Sequence, residues 1–133
     1  MSDVTLDAKY IGITAERSLV VSNEDTAAHW GSGRVVVFAT PYMIALMEGA
    51  AVDAVEPLLP EGYQTVGSLV NVRHLAATPV GHRVTARAVL TAIDGRKLTF
   101  RVQAHDEAGL IGEGEHERYI VDVARFMAKA ATR

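Results

Sequence analysis

At 133 residues the chain is long enough to bury one hydrophobic core and too short for two, so a single domain over residues 1–133 is expected. Its composition, 49% hydrophobic and 22% charged, excludes a disordered chain, and a net charge of -3 leaves no electrostatic footprint for nucleic acid or an anionic membrane. The absence of cysteine excludes disulfides, thiolate zinc sites and a cysteine nucleophile.

The opening "MSDVTLDAKY" carries early acids and no apolar stretch of the kind that forms a secretory leader. No apolar run approaches the roughly 20 residues that span a bilayer, so a cytoplasmic protein is expected. "SLVVS" (18–22) reads as a strand, and "SNEDTAAHW" (22–30) as a short helix with acids at its start and "GSG" at its end. "RVVVF" (34–38) is a short extended approach. The main helix follows from Thr40, which suits the N-cap, and Pro41, which suits the first helical position. It should run to about Glu56 and stop near Pro57 and Pro60.

After residue 63 the hydrophobic period changes to two. "TVGSLVNVRHLAAT" (65–78), "HRVTARAVLTAI" (82–93), "RKLTFRVQAHD" (96–106) and "LIGEGEHERYIVDV" (110–123) read as four antiparallel strands, with Asp94-Gly95 a hairpin signal. A turn centred near Ala108 sets Arg101 opposite Glu115. One long helix followed by these strands gives an α+β class, with the helix lying against one sheet face.

Within that apolar helix stands Glu48. The residues three and four positions away are Ile44, Ala45, Ala51 and Val52, which assigns Glu48 to the buried side. Asp53, flanked at those spacings by Gly49, Ala50, Glu56 and Pro57, falls on a wetter one. Burying an unpaired carboxylate costs several kcal/mol, a cost tolerated where a partner or a function requires the group. His74 repeats the anomaly on a strand, sharing its face by alternation with Val66, Ser68, Val70 and Val72. A buried glutamate and an inward histidine, on elements that must pack together, suit general acid–base work. A core histidine bonded to a structural carboxylate fits the same pattern.

Thr40 is the third candidate, although capping alone explains a threonine there. Eight residues of helix are about 12 Å of rise, so Thr40 and Glu48 of one helix cannot share a hydrogen bond. Acting together, they do so across a substrate or between antiparallel helices of two copies, and a homodimer is expected from any site built on them. Gly112 and Gly114 fall on the face that carries His116 and Arg118, where small residues let a helix or ligand approach. Arg118 can pair with a buried carboxylate, reach solvent, or bind an anionic or carbonyl group. Gly67 serves either close approach or a bulge.

Other chemistries lack their motifs. "VGSLV" is not a nucleophile elbow around Ser68, and "GSGRVVV" is not a phosphate-cradling loop. The five histidines show no metal-ligand spacing, so neither a metal nor a cofactor is expected. His82 and His105 lie beside turns, and His29 and Trp30 are read as packing against the body.

The segments "VFATPYMIALMEGAAVDAV", "GSLVNVRHLAATPVGHRVTARAVL", "DGRKLTFRVQAHD" and "IGEGEHERYIVD" together resemble the hotdog-fold acyl-CoA thioesterases, and more closely their fluoroacetyl-CoA thioesterase-like group. The resemblance implies the hotdog fold, one long central helix wrapped by a curved antiparallel sheet, in a homodimer. It also implies hydrolysis of an acyl-CoA or related acyl thioester by a catalytic group that falls on Thr40, Glu48 and His74, with Thr40 orienting the carboxylate. Substrate contacts fall on Gly67, whose neighbouring N–H groups would hold the oxyanion, on Arg118 and on Arg34. Arg34 stands at the position of the family's gating phenylalanine and Pro41 at that of a glycine, so selectivity for fluoroacetyl is not implied. A non-catalytic acyl-CoA-binding or regulatory module is the alternative on this fold. An enoyl-CoA hydratase, which wants Asp and His at the helix start, ranks last.

Overall fold

The structure, a computed structural model, describes residues 4–133; residues 1–3, which begin the stretch read for a leader, lie outside it. Strand β1 (Thr14–Val20), a one-turn helix α1 (Ala27–Trp30) and the long helix α2 (Thr40–Val55) come first. Strands β2 (Tyr63–His74), β3 (Arg83–Asp94), β4 (Lys97–Asp106) and β5 (Gly109–Asp122) follow, then helix α3 (Val123–Ala131). The strands form one antiparallel sheet in the order β1-β3-β4-β5-β2, which leaves β1 and β2 at its edges. The sheet curves around α2 in a hotdog α+β architecture.

Side-chain alternation explains why α2 lies where it does. Val84, Ala86, Ala88 and Leu90 of β3 and Leu98, Phe100, Val102 and Ala104 of β4 are fully buried on one face. Against them α2 packs Met43, Leu46, Met47, Ala50, Ala51 and Ala54. Alanines on both surfaces let the helix axis come close, and the larger side chains interdigitate around them. The turn between β3 and β4 pairs Asp94 with Lys97, leaving Gly95 and Arg96 as a two-residue loop. Gly95 takes φ +60 there, the first loop position where hairpins favour glycine.

Several boundaries differ from the sequence expectation. Strand β1 starts at Thr14 and ends at Val20, not over 18–22. It is an edge strand with five of its seven residues exposed, so it carries no hydrophobic period to read. The helix expected over 22–30 is a 3-10 turn (Asn23–Asp25) followed by α1. The approach over 34–38 contributes only isolated bridges, Thr26 with Phe38 and Val37 with Pro79. Thr40 is not the N-cap of α2. Ala39 takes that place without a side-chain cap, and Thr40 is the first helical residue. Helix α3, capped by the Asp122 carboxylate on the Arg125 N–H, was not expected at all.

The phase of β2 also needs correcting. The ladder to β5 shifts register between Gly67 and Leu69, with Ser68 as the bulged residue. Gly67 opposes Arg118, whereas Val70, Val72 and His74 oppose His116, Gly114 and Gly112. Val66, opposite Tyr119, therefore lies on the other face from His74. Uninterrupted alternation had put them together.

Candidate functional site

Glu48 leaves the third turn of α2 toward β2 and β5. Its Oε2 lies 3.3 Å from Arg118 Nη1 and 3.9 Å from His116 Nε2. The Gly67 backbone forms the floor: a Cβ built there would stand 2.7 Å from Glu48 Oε2. Gly67 is therefore both a bulge neighbour and a site of close approach. Gly112 acts likewise for Met43 of α2, whose Sδ a Cβ would meet at 2.5 Å. Glu48 is not sealed from water in the single chain, since its side chain keeps 38% of its exposure. Asp53 faces outward and pairs with Arg17 at 2.7 Å, with Gly49 leaving room for the guanidinium to cross the helix.

Arg118 is buried with 6% exposure, and every one of its hydrogen-bonding arms is engaged. Nε donates to Thr65 Oγ1 at 2.8 Å and Nη2 to the Thr65 carbonyl at 2.9 Å. Nη1 reaches Glu48 and also lies 3.1 Å from His116 Nε2. Because that nitrogen faces a permanent donor, it accepts, and His116 Nδ1 carries the hydrogen it donates to the Leu69 carbonyl at 2.7 Å. Burial holds the His116 imidazole below its usual value; the bond to Leu69 opposes this and the Arg118 charge reinforces it. His116 is thus neutral. Burial also lowers Arg118 from its usual value, opposed first by Glu48 and then by Glu56.

Thr40 and His74 form a second cluster. Thr40 Oγ1 lies 2.7 Å from His74 Nδ1, a bond between the start of α2 and the end of β2. The hydroxyl expected to orient Glu48 instead holds the imidazole. His74 Nε2 is buried with no hydrogen-bond partner among the described residues. Burial lowers the His74 imidazole from its usual value, with a backbone bond at Ala76 opposing. Beside the pair lies a depression lined by Ser32, Val37, Phe38, Leu75 and Ala77. Arg34 is exposed on the segment before Val37 and does not line that depression.

Within one chain the expected residues therefore fall into two groups, Thr40 with His74 and Glu48 with Gly67 and Arg118. The imidazole nearest Glu48 is that of His116, which the sequence placed on the correct face without a role. Thr65 and Glu56 were missed, because a helix end bonding back to the next strand leaves no spacing signature. Among the described residues no group of three or more His, Asp or Glu side chains is arranged to hold a metal ion. Nor is any described helix long and apolar enough to cross a membrane.

Exposed apolar side chains flank the residues of both groups along the chain. Leu69, Val70 and Leu75 at the β2 edge and Val35 and Val36 before α2 are all exposed. Trp30, also exposed, meets Tyr42 edge-to-face at 5.7 Å.

The chain resembles known proteins over most of its length. Residues 21–124 match the family described as fluoroacetyl-CoA-specific thioesterase. The chain is 46% identical over 93 residues to the fluoroacetyl-CoA thioesterase of Streptantibioticus cattleyicolor, covering 70% of this chain and 67% of that one. A solved structure of fluoroacetyl-CoA thioesterase FlK, a threonine-to-serine variant in complex with acetyl-CoA, superposes with a TM-score of 0.87 at 37% identity. That match covers 92% of this chain and 96% of the other. A hypothetical protein of the thioesterase superfamily from Thermus thermophilus superposes with a TM-score of 0.84 at 36% identity, covering 91% and 90%.

Proposed function

The chain belongs to the fluoroacetyl-CoA-specific thioesterase family, and we propose that it hydrolyses an acyl-CoA thioester at a site shared by two copies of the chain. The observation that carries this reading is the Glu48 carboxylate, held on the Gly67 backbone by one arm of a buried arginine and still open to the cleft. A carboxylate so placed attacks the thioester carbonyl, or takes a proton from the water that does. N–H groups about the β2 bulge stabilise the oxyanion that forms. His74, held at Nδ1 by Thr40, presents Nε2, the atom left without a partner, to relay the proton released by the attacking water to the departing thiolate. Carboxylic acid and free thiol are the products. The relative solved with acetyl-CoA supports the carrier.

Distance supports a second copy. Thr40 and Glu48 are separated by eight residues of one rigid helix, about 12 Å. An antiparallel partner helix brings its Thr40 and His74 toward Glu48, and in doing so covers the exposed Leu69, Val70 and Leu75. A symmetric pair of this kind makes two equivalent sites. The apolar rim suits an acyl chain, and nothing at Arg34 gates it for fluoroacetyl. A cytoplasmic location, where acyl-CoA is found, fits this reading.

Thiol release from a panel of acyl-CoA esters, fluoroacetyl-CoA included, tests the activity. Turnover of at least one ester is expected, falling by on the order of 10^3 or more in Glu48→Gln. Wild-type protein silent on every ester would overturn the proposal.

A further inference from the structure

Behind Glu48 lies a chain of bonds that touches no reacting atom. Thr65 Oγ1 accepts from Arg118 Nε, so its single hydrogen is committed elsewhere, to Glu56 Oε2 at 2.8 Å. The same carboxylate oxygen takes the Thr65 N–H at 2.9 Å. Glu56 is the residue that ends α2, and Thr65, 5% exposed, lies near the start of β2. Two carboxylates thus share one buried guanidinium, Glu48 directly and Glu56 through Thr65.

The distances show how it is shared. The two bonds to Thr65 have the length of well-formed hydrogen bonds, whereas the arm toward Glu48 is long and single at 3.3 Å. An unrestrained arginine meets a carboxylate through two parallel bonds of about 2.7–2.9 Å. Such a fork would satisfy both oxygens of Glu48 and blunt it as a nucleophile or base. Here the fork is turned away, and His116 Nε2 takes up part of the remaining arm.

We propose that Glu56 and Thr65 are positioning residues for the hydrolysis, anchoring the Arg118 guanidinium so that it holds Glu48 in place by one loose arm without neutralising it. The inference rests on the thioesterase reading of the Glu48 site. Its consequence is that the end of α2, remote from the cleft, sets the reactivity of the carboxylate two turns earlier. A tie that merely fastened helix to strand would alter stability and leave turnover intact.

The test uses the full chain and the ester that the wild-type protein turns over best. Glu56→Gln and Thr65→Val are each expected to lower kcat by about 10-fold with KM within about 2-fold. Thr65→Ser, which keeps the hydroxyl, should restore kcat to within about 2-fold of wild type. The double variant should lose no more than either single one, because both cut the same tie. Thermal melting identifies variants that fail to fold, and Thr65→Ser then carries the comparison against the wild type and Thr65→Ala. Folded Glu56→Gln and Thr65→Val proteins with wild-type kcat, in an active wild-type background, overturn this inference alone. A silent wild type overturns it together with the activity.

Discussion

Replacing Gly67 by alanine separates the fold from the chemistry. The position has ordinary extended backbone, not a positive φ, so alanine meets no strain in the main chain. Its methyl group meets Glu48 Oε2 at 2.7 Å, while the buried His116 ring, with Cε1 at 3.3 Å, must give by a few tenths of an ångström and Arg118 Nη1 at 3.4 Å is in ordinary contact. A carbon–oxygen contact relaxes to about 3.3–3.6 Å, so the carboxylate must retreat by at least about 0.6 Å. It sits at the end of a flexible, half-exposed side chain, which makes the retreat cheap for the fold. Loss of glycine's freedom in the unfolded chain returns roughly 0.4–1 kcal/mol. The melting temperature should therefore stay within about 4 °C of wild type. Displacing a reacting group by most of an ångström costs far more, and kcat should fall about 10- to 100-fold. Steady-state thiol release alongside thermal unfolding measures both quantities. A Gly67→Ala protein with undiminished kcat would refute the placement of Glu48 on that backbone, and a collapsed melting temperature would refute the cheapness of the shift.

Three further outcomes follow from the same geometry. Thr40→Val removes the hydroxyl bonded to His74, so turnover should drop with a stability loss of about 0.5–1.5 kcal/mol in urea titrations, while Thr40→Ser keeps most of both; undiminished turnover in Thr40→Val is the contrary result. Both His74 and His116 have folded values held below the ~6.5 of an unfolded chain. As pH falls through ~6.5 and toward those lowered values, the unfolded chain binds protons that the folded one resists, so stability drops; above about pH 7.5 the contribution vanishes. Urea midpoints between pH 5 and 8 should show this slope and His74→Asn should flatten part of it, a flat wild-type profile being the contrary result. Finally, mixing the inactive variants Glu48→Gln and His74→Asn under conditions that exchange subunits should restore activity. With half the dimers mixed and one intact site in each, about a quarter of wild-type activity is expected; no recovery despite proven exchange would mean that the two residues serve the same copy.

Much of this fold could be read from the chain because two signals are strong in it. Alternation matches burial in β3 as far as Leu90, where a shift of register at Thr91 interrupts it, and from Lys97 to His105 in β4, and Asp94-Gly95 closes the hairpin between them. The register of β4 with β5 places Arg101 opposite Glu115 as expected, although its guanidinium leans diagonally to Glu113 at 2.6 Å. Elements without a buried face were lost or misplaced. No residue of α3 is buried, so its spacing of Val123, Phe126, Met127 and Ala130 behind the Asp122 cap was the one available cue. The candidate site was legible as a set of anomalous polar residues but not as a set of bonds. Thr40 satisfied the rule for a cap so well that its partner, 34 residues away, was hidden.

The bulge at Ser68 shows why burial periodicity alone was not enough. Gly67 and His74 are seven residues apart, an odd number, and in a regular strand they would project to opposite faces. One extra residue between them brings both to the face that α2 covers, opposite Arg118 and Gly112 respectively. The same irregularity turns the Leu69 carbonyl to His116 Nδ1 and so fixes which nitrogen faces Arg118. A single local defect therefore aligns the floor under Glu48, the tautomer of His116 and the inward aim of His74. Removing Ser68 would restore a regular ladder on one side of the deletion only by turning the residues on the other side outward. The strand cannot be made regular without taking the site apart.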